Sequence, residues 1–223
     1  MEKIFTNIYE TKEWGDNNNI NYNGGSGPGS TLENTIIYNK FLKKFIVDNN
    51  IRTVVDCGCG DFNTGPLIYE NLDIFYTGYD AYQKVVDYNS RRLDPVKYHF
   101  EHLDIFEHKE MIKDADLCIL KDVLQHWSLD KIYIFLDYLV YNKKFKYILI
   151  CNCSYQKIDN TDIKDGRFRP LSCDYFPLKK YNPKKLLNYL TKEISVIEPQ
   201  KSVEYFFIEP QKSVEYFFIE GVT

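Results

Sequence analysis

The chain has 223 residues, of which 44% are hydrophobic and 16% aromatic, and its formal net charge is −4. This composition allows a single domain, spanning residues 1–223, and excludes disorder along the whole chain. No stretch is dominated by lysine and arginine and no apolar run is long enough to cross a bilayer, so neither a nucleic acid nor a membrane is expected as a partner. The first residues lack the apolar core of a signal peptide, which predicts a cytoplasmic protein with reduced cysteines. The C-x-C spacing of the close cysteine pairs predicts no metal site.

The N-terminal part is predicted to be a loop followed by a helix. Residues 15–29, GDNNNINYNGGSGPG, contain many turn formers and no apolar period. Ser30 and Glu33 then match a capping box, Ser-x-x-Glu, so a helix is predicted to begin there and to extend to about Val47. Its apolar positions at helical spacing are Leu32, Ile36, Phe41, Phe45 and Ile46.

Strands and helices alternate over the next hundred residues. Strands are predicted at Thr53–Cys57, Ile74–Tyr79, Tyr98–Leu103, Leu117–Leu120 and Tyr147–Cys151. Helices are predicted at Gly65–Asn71, Gln83–Leu93 and Leu129–Tyr141, the last capped by Ser128. This alternation is typical of an α/β fold, a mostly parallel sheet covered by helices on both faces.

The C-terminal part is predicted to differ from this pattern. Asn182 and Pro183 indicate the start of one more helix, and strands are predicted at Ile194–Ile197 and Ser202–Ile208. The four residues between these strands are too few for a crossover helix, so the strands are predicted to be antiparallel. The sequence IEPQKSVEYFF occurs at 197–207 and again at 208–218. This tandem duplication could add an edge strand and favour a homodimer.

The stretch VVDCGCGDFN, residues 54–63, places two glycines directly after a predicted strand. Gly58 and Gly60 are compatible with a plain tight turn or with a loop whose backbone meets a ligand. Asp80 ends the second predicted strand, 20 residues beyond Gly60, where an acid accepts hydrogen bonds from ribose hydroxyls. A dinucleotide is disfavoured because the third glycine is absent and because Asp56 and Asp61 would repel a pyrophosphate. These acids favour an adenosine ligand with an ammonium group and no phosphate, such as S-adenosylmethionine.

Four motifs resemble those of the class I S-adenosylmethionine-dependent methyltransferases. They are Asp56-Cys-Gly58-Cys-Gly60, Gly78-Tyr-Asp80-Ala81, Leu103-Asp104-Ile105 and the run from Asp116 to Asp122. The resemblance implies a Rossmann-like fold with a mostly parallel seven-stranded sheet that ends in an antiparallel hairpin. It also implies S-adenosyl-L-methionine as cofactor, with Asp80 and Asp104 holding the adenosine. The cofactor-binding residues implied on these motifs are Asp56, Gly58, Gly60, Asp61, Asp80, Ala81, Asp104, Ile105 and Lys121.

A narrower resemblance covers nearly the whole chain. Trp14-Gly15, the SGPGS sequence at 26–30, the run from Lys121 to His126 and residues 166–171 are similar to a subgroup of small methyltransferases. Members of this subgroup are found beside polysaccharide and sugar-nucleotide genes in bacteria and giant viruses. This sequence departs from the subgroup at Phe168, where a tryptophan is expected. This resemblance implies a sugar or nucleotide-sugar hydroxyl as the methyl acceptor.

Residues around the fourth predicted strand are candidates for catalysis. Asp122 and His126 are spaced i, i+4 and would share one face of a helix. A hydroxyl acceptor needs a base, so His126 is predicted to be the general base and Asp122 a substrate or cofactor contact. Alternatively, His126 packs beside Trp127 and Asp122 caps a helix.

The acceptor is predicted to be held by segments outside the glycine loop. Residues 1–35 are predicted to form a lid, in which Gly27 and Ser30 meet the cofactor carboxylate, and residues 152–182 to form an acceptor-site insertion. The predicted substrate-binding residues are Trp14, Gln125, Asp162 and Arg169. Each of these also has a purely structural interpretation, as flexible coil, a core anchor or a solvated loop.

Three functional hypotheses therefore remain open. The first is an O-methyltransferase of glycan biosynthesis. The second keeps the cofactor but methylates another small molecule or an amine. The third is a catalytically idle fold that binds S-adenosylmethionine or a partner protein.

Overall fold

The computed structural model describes residues 1–16 and 21–199, which form a seven-stranded mixed sheet with helices on both faces. The helices are α1 (Glu2–Glu10), α2 (Leu32–Asp48), α3 (Gly65–Tyr69), α4 (Gln83–Arg92) and α5 (Leu129–Tyr141). The strands are β1 (Thr53–Cys57), β2 (Phe75–Asp80), β3 (Tyr98–His102), β4 (Ala115–Lys121), β5 (Phe145–Cys153), β6 (Lys184–Tyr189) and β7 (Lys192–Ile197). The predicted α/β class and the alternation from β1 to β5 are confirmed.

The strand order in the sheet is β3-β2-β1-β4-β5-β7-β6. Strands β1 to β5 are parallel, whereas β7 is antiparallel to both β5 and β6. The chain leaves β1 toward β2 on one side and later returns to β4 on the other side. A parallel sheet has its ligand crevice at such a switch point, outside the carboxyl ends of the strands. The topology therefore directs attention to the residues that follow β1, β2, β3 and β4.

The core lies in two layers because successive strand residues face opposite sides of the sheet. Val54 packs in the layer under α2, α3 and α4, and its neighbour Val55 packs in the layer under α5. In β4, Ile119 and Leu120 divide in the same way. Both layers are buried, which explains why these strands consist of continuous apolar runs.

The C-terminal hairpin is present, but its strands differ from the predicted ones. The helix predicted to begin at Asn182 and Pro183 is wrong: Asn182 is left-handed, with φ of 46°, and the chain continues as β6. β6 pairs with β7, and all six residues of β7 are buried between β5 and β6. This pairing overrides the helical preference of the Lys-Lys-Leu-Leu run, and the exposed Lys184 and Lys185 protect the sheet edge. The predicted strand Ser202–Ile208 and the duplicated copy lie outside the described residues.

Two predicted helix caps are also corrected. Ser30 does not cap α2: its hydroxyl donates to the carbonyl oxygen of Ser26 at 3.0 Å, and the helix begins at Leu32 without a side-chain cap. The Ser128 side chain makes no capping bond to α5 either. The first helix, α1, was not predicted from the sequence, although its residues pack against the crevice.

Candidate functional site

Two neighbouring cavities open at the carboxyl ends of the parallel strands. The first is lined by residues 58–65 after β1 and is called the glycine-loop cavity; it has about 1100 Å³ of space that includes its open mouth. The second, with about 890 Å³ measured in the same way, lies beside β7 and is called the Lys192 cavity. The two cavities share four lining residues, Trp14, Ser26, Asp122 and His126.

The two glycines after β1 have a strained conformation that only glycine adopts easily. Gly58 has φ of 87° and Gly60 has φ of 56°. A Cβ atom at Gly58 would lie 2.6 Å from Cγ2 of Val123, and one at Gly60 would lie 2.5 Å from the hydroxyl oxygen of Ser26. The packing of the protein itself therefore requires both glycines, and it keeps the loop backbone at the cavity wall.

Three predicted cofactor-binding acids line the glycine-loop cavity around this loop. Asp80 accepts hydrogen bonds from the N–H groups of Gly60 at 2.9 Å and Tyr82 at 3.0 Å. Burial raises the pKa of Asp80 and of Asp61. Burial also raises the pKa of Asp56 to about 6, against the hydrogen bond that it accepts from the Tyr76 hydroxyl. Because desolvation opposes their ionisation, a bound cation would stabilise these carboxylates.

Asp104 lines the same cavity but is engaged by α1. Its Oδ2 atom lies 2.6 Å from the ammonium group of Met1 and accepts from the Glu2 N–H at 2.7 Å. A carboxylate at this position satisfies the free N–H groups of the helix start and interacts favourably with the helix dipole. Although burial opposes it, these donors lower the pKa of Asp104. The neighbouring residues Ile105 and Ala81 also line this cavity.

The N-terminal segment, of which residues 1–16 and 21–31 are described, contributes lining residues to both cavities. The Ser26 hydroxyl accepts from the Asp61 N–H at 2.9 Å, which joins the segment to the glycine loop. Of the residues predicted to meet the cofactor, Ser30 lines the glycine-loop cavity but Gly27 lines the Lys192 cavity. Trp14 lines both cavities.

A charged triad lies where the two cavities meet. Asp122 accepts from the Lys121 ammonium group at 2.8 Å and from the Lys192 ammonium group at 2.5 Å. Although burial favours the neutral acid, the two lysines lower the pKa of Asp122. Lys121 also donates to the carbonyl oxygen of Gly29 at 2.9 Å, so the triad holds the N-terminal segment. A Cβ atom at Gly29 would lie 2.8 Å from Oδ2 of Asp122, which explains the glycine there.

His126 also lines both cavities and has a defined tautomer. Its Nδ1–H donates to the carbonyl oxygen of Arg167 at 3.0 Å, which leaves Nε2 as the hydrogen-bond acceptor. The ring lies between those of Trp14, at 4.9 Å, and Phe168, at 5.8 Å between centroids. Burial lowers the pKa of His126 below its ordinary value of 6.5, so the ring is neutral at pH 7. The Gln125 side-chain amide nitrogen lies 3.4 Å from Nε2 and donates to it weakly. A neutral imidazole with an unprotonated Nε2 can accept a proton once an acceptor hydroxyl replaces this contact.

Asp122 and His126 do not lie on an α-helix, although their i, i+4 spacing predicts one. Asp122 is left-handed, with φ of 59°, and residues Leu124–His126 form one turn of 3-10 helix. The two side chains still meet because the turn brings both to the carboxyl end of β4. Gln125 lines the Lys192 cavity, where its Oε1 atom accepts from the Cys153 N–H at 2.9 Å.

The structure does not bring Asp162 and Arg169 to the wall of either cavity. Asp162 accepts from the Leu129 N–H at 2.8 Å and so satisfies the start of α5, which lacks a cap of its own. Arg169 is 3% exposed and donates to the carbonyl oxygen of Trp127 at 2.6 Å. Lys192 lines the second cavity but is not among the predicted site residues. Only the register of β7 against β5 places it there, opposite Cys153. Among residues 1–16 and 21–199, no group of acidic, histidine and cysteine side chains could hold a metal ion, and no helix could cross a membrane.

No known family model matches the chain, and no curated protein sequence matches it. Solved structures do. N-methyltransferase NodS from Bradyrhizobium japonicum WM9, in complex with S-adenosyl-L-homocysteine, is 10% identical with a TM-score of 0.58, over 85% of this chain and 97% of NodS. Magnesium protoporphyrin IX methyltransferase (ChlM) from Synechocystis PCC 6803, with the same ligand bound, is 11% identical with a TM-score of 0.56, over 88% and 98%. The methyltransferase domain of the bacterial protein CtHen1-C is 14% identical with a TM-score of 0.56, over 71% and 95%.

The chain has the methyltransferase fold. At these identities the similarity establishes the architecture, which confirms the predicted seven-stranded Rossmann-like sheet with its antiparallel hairpin. Within this methyltransferase fold, the glycine-loop cavity occupies the crevice at the switch point between β1 and β4.

Proposed function

We propose that the chain is an S-adenosylmethionine-dependent methyltransferase acting on a hydroxyl group of a small polar acceptor. The cofactor would occupy the glycine-loop cavity and the acceptor the Lys192 cavity. The observation that supports this most directly is the position of His126, a neutral base with an unprotonated Nε2 at the junction of two cavities. The sequence resemblance favours a sugar or nucleotide-sugar as the acceptor.

The residues of the glycine-loop cavity fit this cofactor. Asp80 uses two of its roughly four acceptor positions on backbone N–H groups, and the others are left for ribose hydroxyls. Leu103 and Ile105, beside Asp104, provide an apolar wall for adenine, and the indole N–H of Trp127 in the same wall has no partner among the described residues. Asp56 and Asp61 suit a ligand that carries an ammonium group, and they oppose a phosphate.

The cofactor, when bound, supplies a methyl group on a positively charged sulfur, which makes the methyl carbon electrophilic. The protein must hold the acceptor oxygen in line with that carbon and exclude water. His126 Nε2 would take the proton of the acceptor hydroxyl when that oxygen receives the methyl group that the cofactor supplies. The imidazolium that results is stabilised by the Arg167 carbonyl oxygen at Nδ1 and by the nearby Asp122.

Three segments receive further roles in this proposal. Residues 1–35 close the site as a lid, since Ser26 and Ser30 join the glycine loop to the start of α2. Trp14, Gln125 and Phe168 form the acceptor walls. Asp162 and Arg169 would act indirectly by fixing the loop after residue 152 against the start of α5.

Calorimetric titration of S-adenosylhomocysteine into the protein tests the cofactor site. Asp80→Asn is expected to weaken binding by roughly 10-fold or more, because it removes charged hydrogen bonds to the ribose. The matched control is Asp87→Asn, an exposed acid on α4 that lines neither cavity. Folded wild-type protein that binds neither S-adenosylhomocysteine nor S-adenosylmethionine would contradict the proposal.

Acceptor chemistry is tested by the pH dependence of methyl transfer to hydroxyl and amine acceptors. An oxygen acceptor requires His126, whereas an amine acceptor needs only to be neutral. Turnover that is retained in His126→Gln would favour the amine alternative. Cofactor binding without turnover on any acceptor would favour the catalytically idle alternative.

A further inference from the structure

The Lys192 cavity contains a buried ammonium group that the methyl-transfer proposal does not use. Lys192 lies on β7, opposite Cys153 of β5, and its side chain is 8% exposed. Burying a charged group is costly unless its charge and its hydrogen bonds are satisfied. The partners of Lys192 therefore indicate what the cavity is built to bind.

The charge of Lys192 is only partly balanced. Asp122 is the one acid among the described residues that line the Lys192 cavity. Its single carboxylate is shared between Lys192 and Lys121, so two positive charges face one negative charge. Asp56 attracts Lys121 from the other cavity, but no ion pair joins these two residues in the described part of the chain. Asp56 therefore offsets part of the Lys121 charge from the other cavity, while Lys192, on its own side, depends among the described residues on the shared Asp122 carboxylate alone.

The hydrogen bonds of Lys192 are also incomplete. An ammonium group has three N–H donors. One donates to Asp122, and the other described contact is with the Cys153 sulfur at 3.8 Å, which is a weak acceptor. At least one donor is therefore left for a ligand. The same cavity offers the amides of Asn34 and Gln125 and the rings of Trp14 and Phe168.

We propose that the acceptor carries an anionic group, a carboxylate or a phosphate, that binds the Lys192 ammonium group while its hydroxyl faces His126. The proposal rests on the proposed function and narrows its substrate class. Sugar acids and sugar phosphates have this chemistry, and so the inference remains consistent with a sugar acceptor. A neutral sugar would leave the charge of Lys192 uncompensated.

The test uses wild-type protein saturated with S-adenosylhomocysteine and titrated calorimetrically with small probes. Glucuronate and glucose 6-phosphate carry the two anionic groups, and glucuronamide and glucose are their neutral counterparts. We expect at least one anion to bind about 10-fold or more tightly than its counterpart, as a charged hydrogen bond provides. Whether glucuronate or glucose 6-phosphate is preferred distinguishes a carboxylate from a phosphate.

Three variants assign this preference to Lys192. Lys192→Met is expected to abolish it, and Lys192→Arg to retain part of it, while both still bind S-adenosylhomocysteine as the wild type does. Lys184→Met is the matched control, since Lys184 is an exposed lysine on the neighbouring strand that lines neither cavity. Because Asp122 keeps Lys121 as a partner, Lys192→Met is expected to fold, which thermal melting checks. If it does not fold, the wild-type preference and its retention in Lys192→Arg decide the question.

Each other outcome overturns the inference. Equal binding of charged and neutral probes, or no saturable binding of either anion, would show that no anion site exists. A preference that survives in Lys192→Met would place the site elsewhere. Weaker S-adenosylhomocysteine binding in Lys192→Met would mean that the lysine serves the carboxylate of the cofactor. Wild-type protein that fails to bind S-adenosylhomocysteine refutes the proposed function itself and is recognised in the first titration.

Discussion

The two cavities share a wall but differ in charge. The glycine-loop cavity is lined by the carboxylates of Asp56, Asp61, Asp80 and Asp104, besides the shared Asp122, and by two cations, Lys121 and the Met1 ammonium group that pairs with Asp104. The Lys192 cavity has that one shared acid together with a buried lysine and two aromatic rings. A cation is therefore favoured on one side of the shared wall and an anion on the other. The wall itself, formed by Asp122, His126 and Trp14, is where the two ligands would meet.

This difference arises from the topology of the sheet. The acids follow the parallel strands β1, β2 and β3, whose carboxyl ends meet at one edge. Lys192 belongs to β7, which is antiparallel and presents the beginning of its strand at the same edge. The antiparallel hairpin thus brings a second lysine to the crevice, opposite Lys121 at the end of the parallel strand β4.

The largest expected effect is at His126, because both cavities depend on it. His126→Gln is expected to lower kcat by roughly 10²- to 10⁴-fold while S-adenosylhomocysteine binding is unchanged, since only proton transfer is lost. The control is His108→Gln, a histidine after β3 that pairs with Glu110 and lines neither cavity. Steady-state kinetics on the acceptor identified by titration provide the measurement. A variant with wild-type kcat would contradict the role of general base.

The pH profile sharpens this prediction. Burial lowers the pKa of His126 below 6.5, so the free base is present at neutral pH and is lost by protonation in acid. For the wild type, kcat is expected to rise with pH, with an apparent pKa below 6.5, and to be constant above it. The residual activity of His126→Gln should lack this acidic limb. An apparent pKa above 7 would point to a different base.

Removing the Asp122 charge between Lys121 and Lys192 is expected to have the next largest effect, on the stability of the protein. Asp122→Asn leaves two ammonium groups without a carboxylate and should reduce the free energy of unfolding by about 3 kcal/mol. Asparagine tolerates the left-handed backbone there, so the loss reports charge rather than strain. Asp48→Asn is the control, because its exposed pair with Lys44 contributes about 1 kcal/mol or less. Urea unfolding of both variants measures the difference, and equal losses would show that the triad is not structural.

The sequence predicts the residues of the glycine-loop cavity far better than those of the Lys192 cavity. Gly58, Gly60 and Asp80 are recognisable because parallel strands produce apolar runs, after which polar residues must lie at the crevice. Lys192 has no such signal, since a lysine in a short strand next to a turn usually faces solvent. Its burial depends on the pairing of β7 between β5 and β6, a contact between distant parts of the chain.

Contacts between distant parts of the chain also explain why the secondary structure near both termini was predicted wrongly. The run after Asn182 has good helix formers, and only the left-handed conformation of Asn182 and the pairing with β7 make it a strand. Helix α1 lacks a cap motif in the sequence because its start is satisfied by Asp104, about a hundred residues away. Asp162 and Arg169 have the chemistry of a binding site but serve the start of α5.

The glycine loop allows the cavity wall to be tested with a matched pair of variants. Gly60→Ala combines a positive φ with a contact to the Ser26 oxygen, whereas Gly15→Ala has a positive φ but open space around the new Cβ. Strain alone costs about 1 kcal/mol, so Gly15→Ala should lose that much and Gly60→Ala should lose about 2 kcal/mol. Only Gly60→Ala is expected to weaken S-adenosylhomocysteine binding as well. Equal effects on stability and binding would mean that the glycine is needed for its conformation alone.

The smallest expected effect separates the two anchors of α1. Asp104 holds the start of the helix at the glycine-loop cavity, and Glu10 holds its end through Tyr82 and Lys84, away from both cavities. Glu10→Gln should weaken α1 by about 0.3–1 kcal/mol and Asp104→Asn, at the buried pair with the Met1 ammonium group, by about 2 kcal/mol, which hydrogen exchange of its amides measures. Only Asp104→Asn is expected to reduce S-adenosylhomocysteine affinity.

The Glu10 anchor also predicts a pH dependence of helix stability, at a lower pH than the loss of activity predicted for His126. Hydrogen bonds from Lys84, Tyr82 and Asn23 lower the pKa of Glu10 from 4.5 to about 2. Its stabilisation of α1 is therefore complete above pH 4.5 and is lost as the pH falls toward 2. The protection of the α1 amides, taken relative to their intrinsic exchange rate at each pH, should decrease over this range in the wild type and not in Glu10→Gln. If Asp104→Asn and Glu10→Gln instead reduced S-adenosylhomocysteine affinity equally, α1 would act on the cavity as one rigid lid rather than through the Asp104 carboxylate.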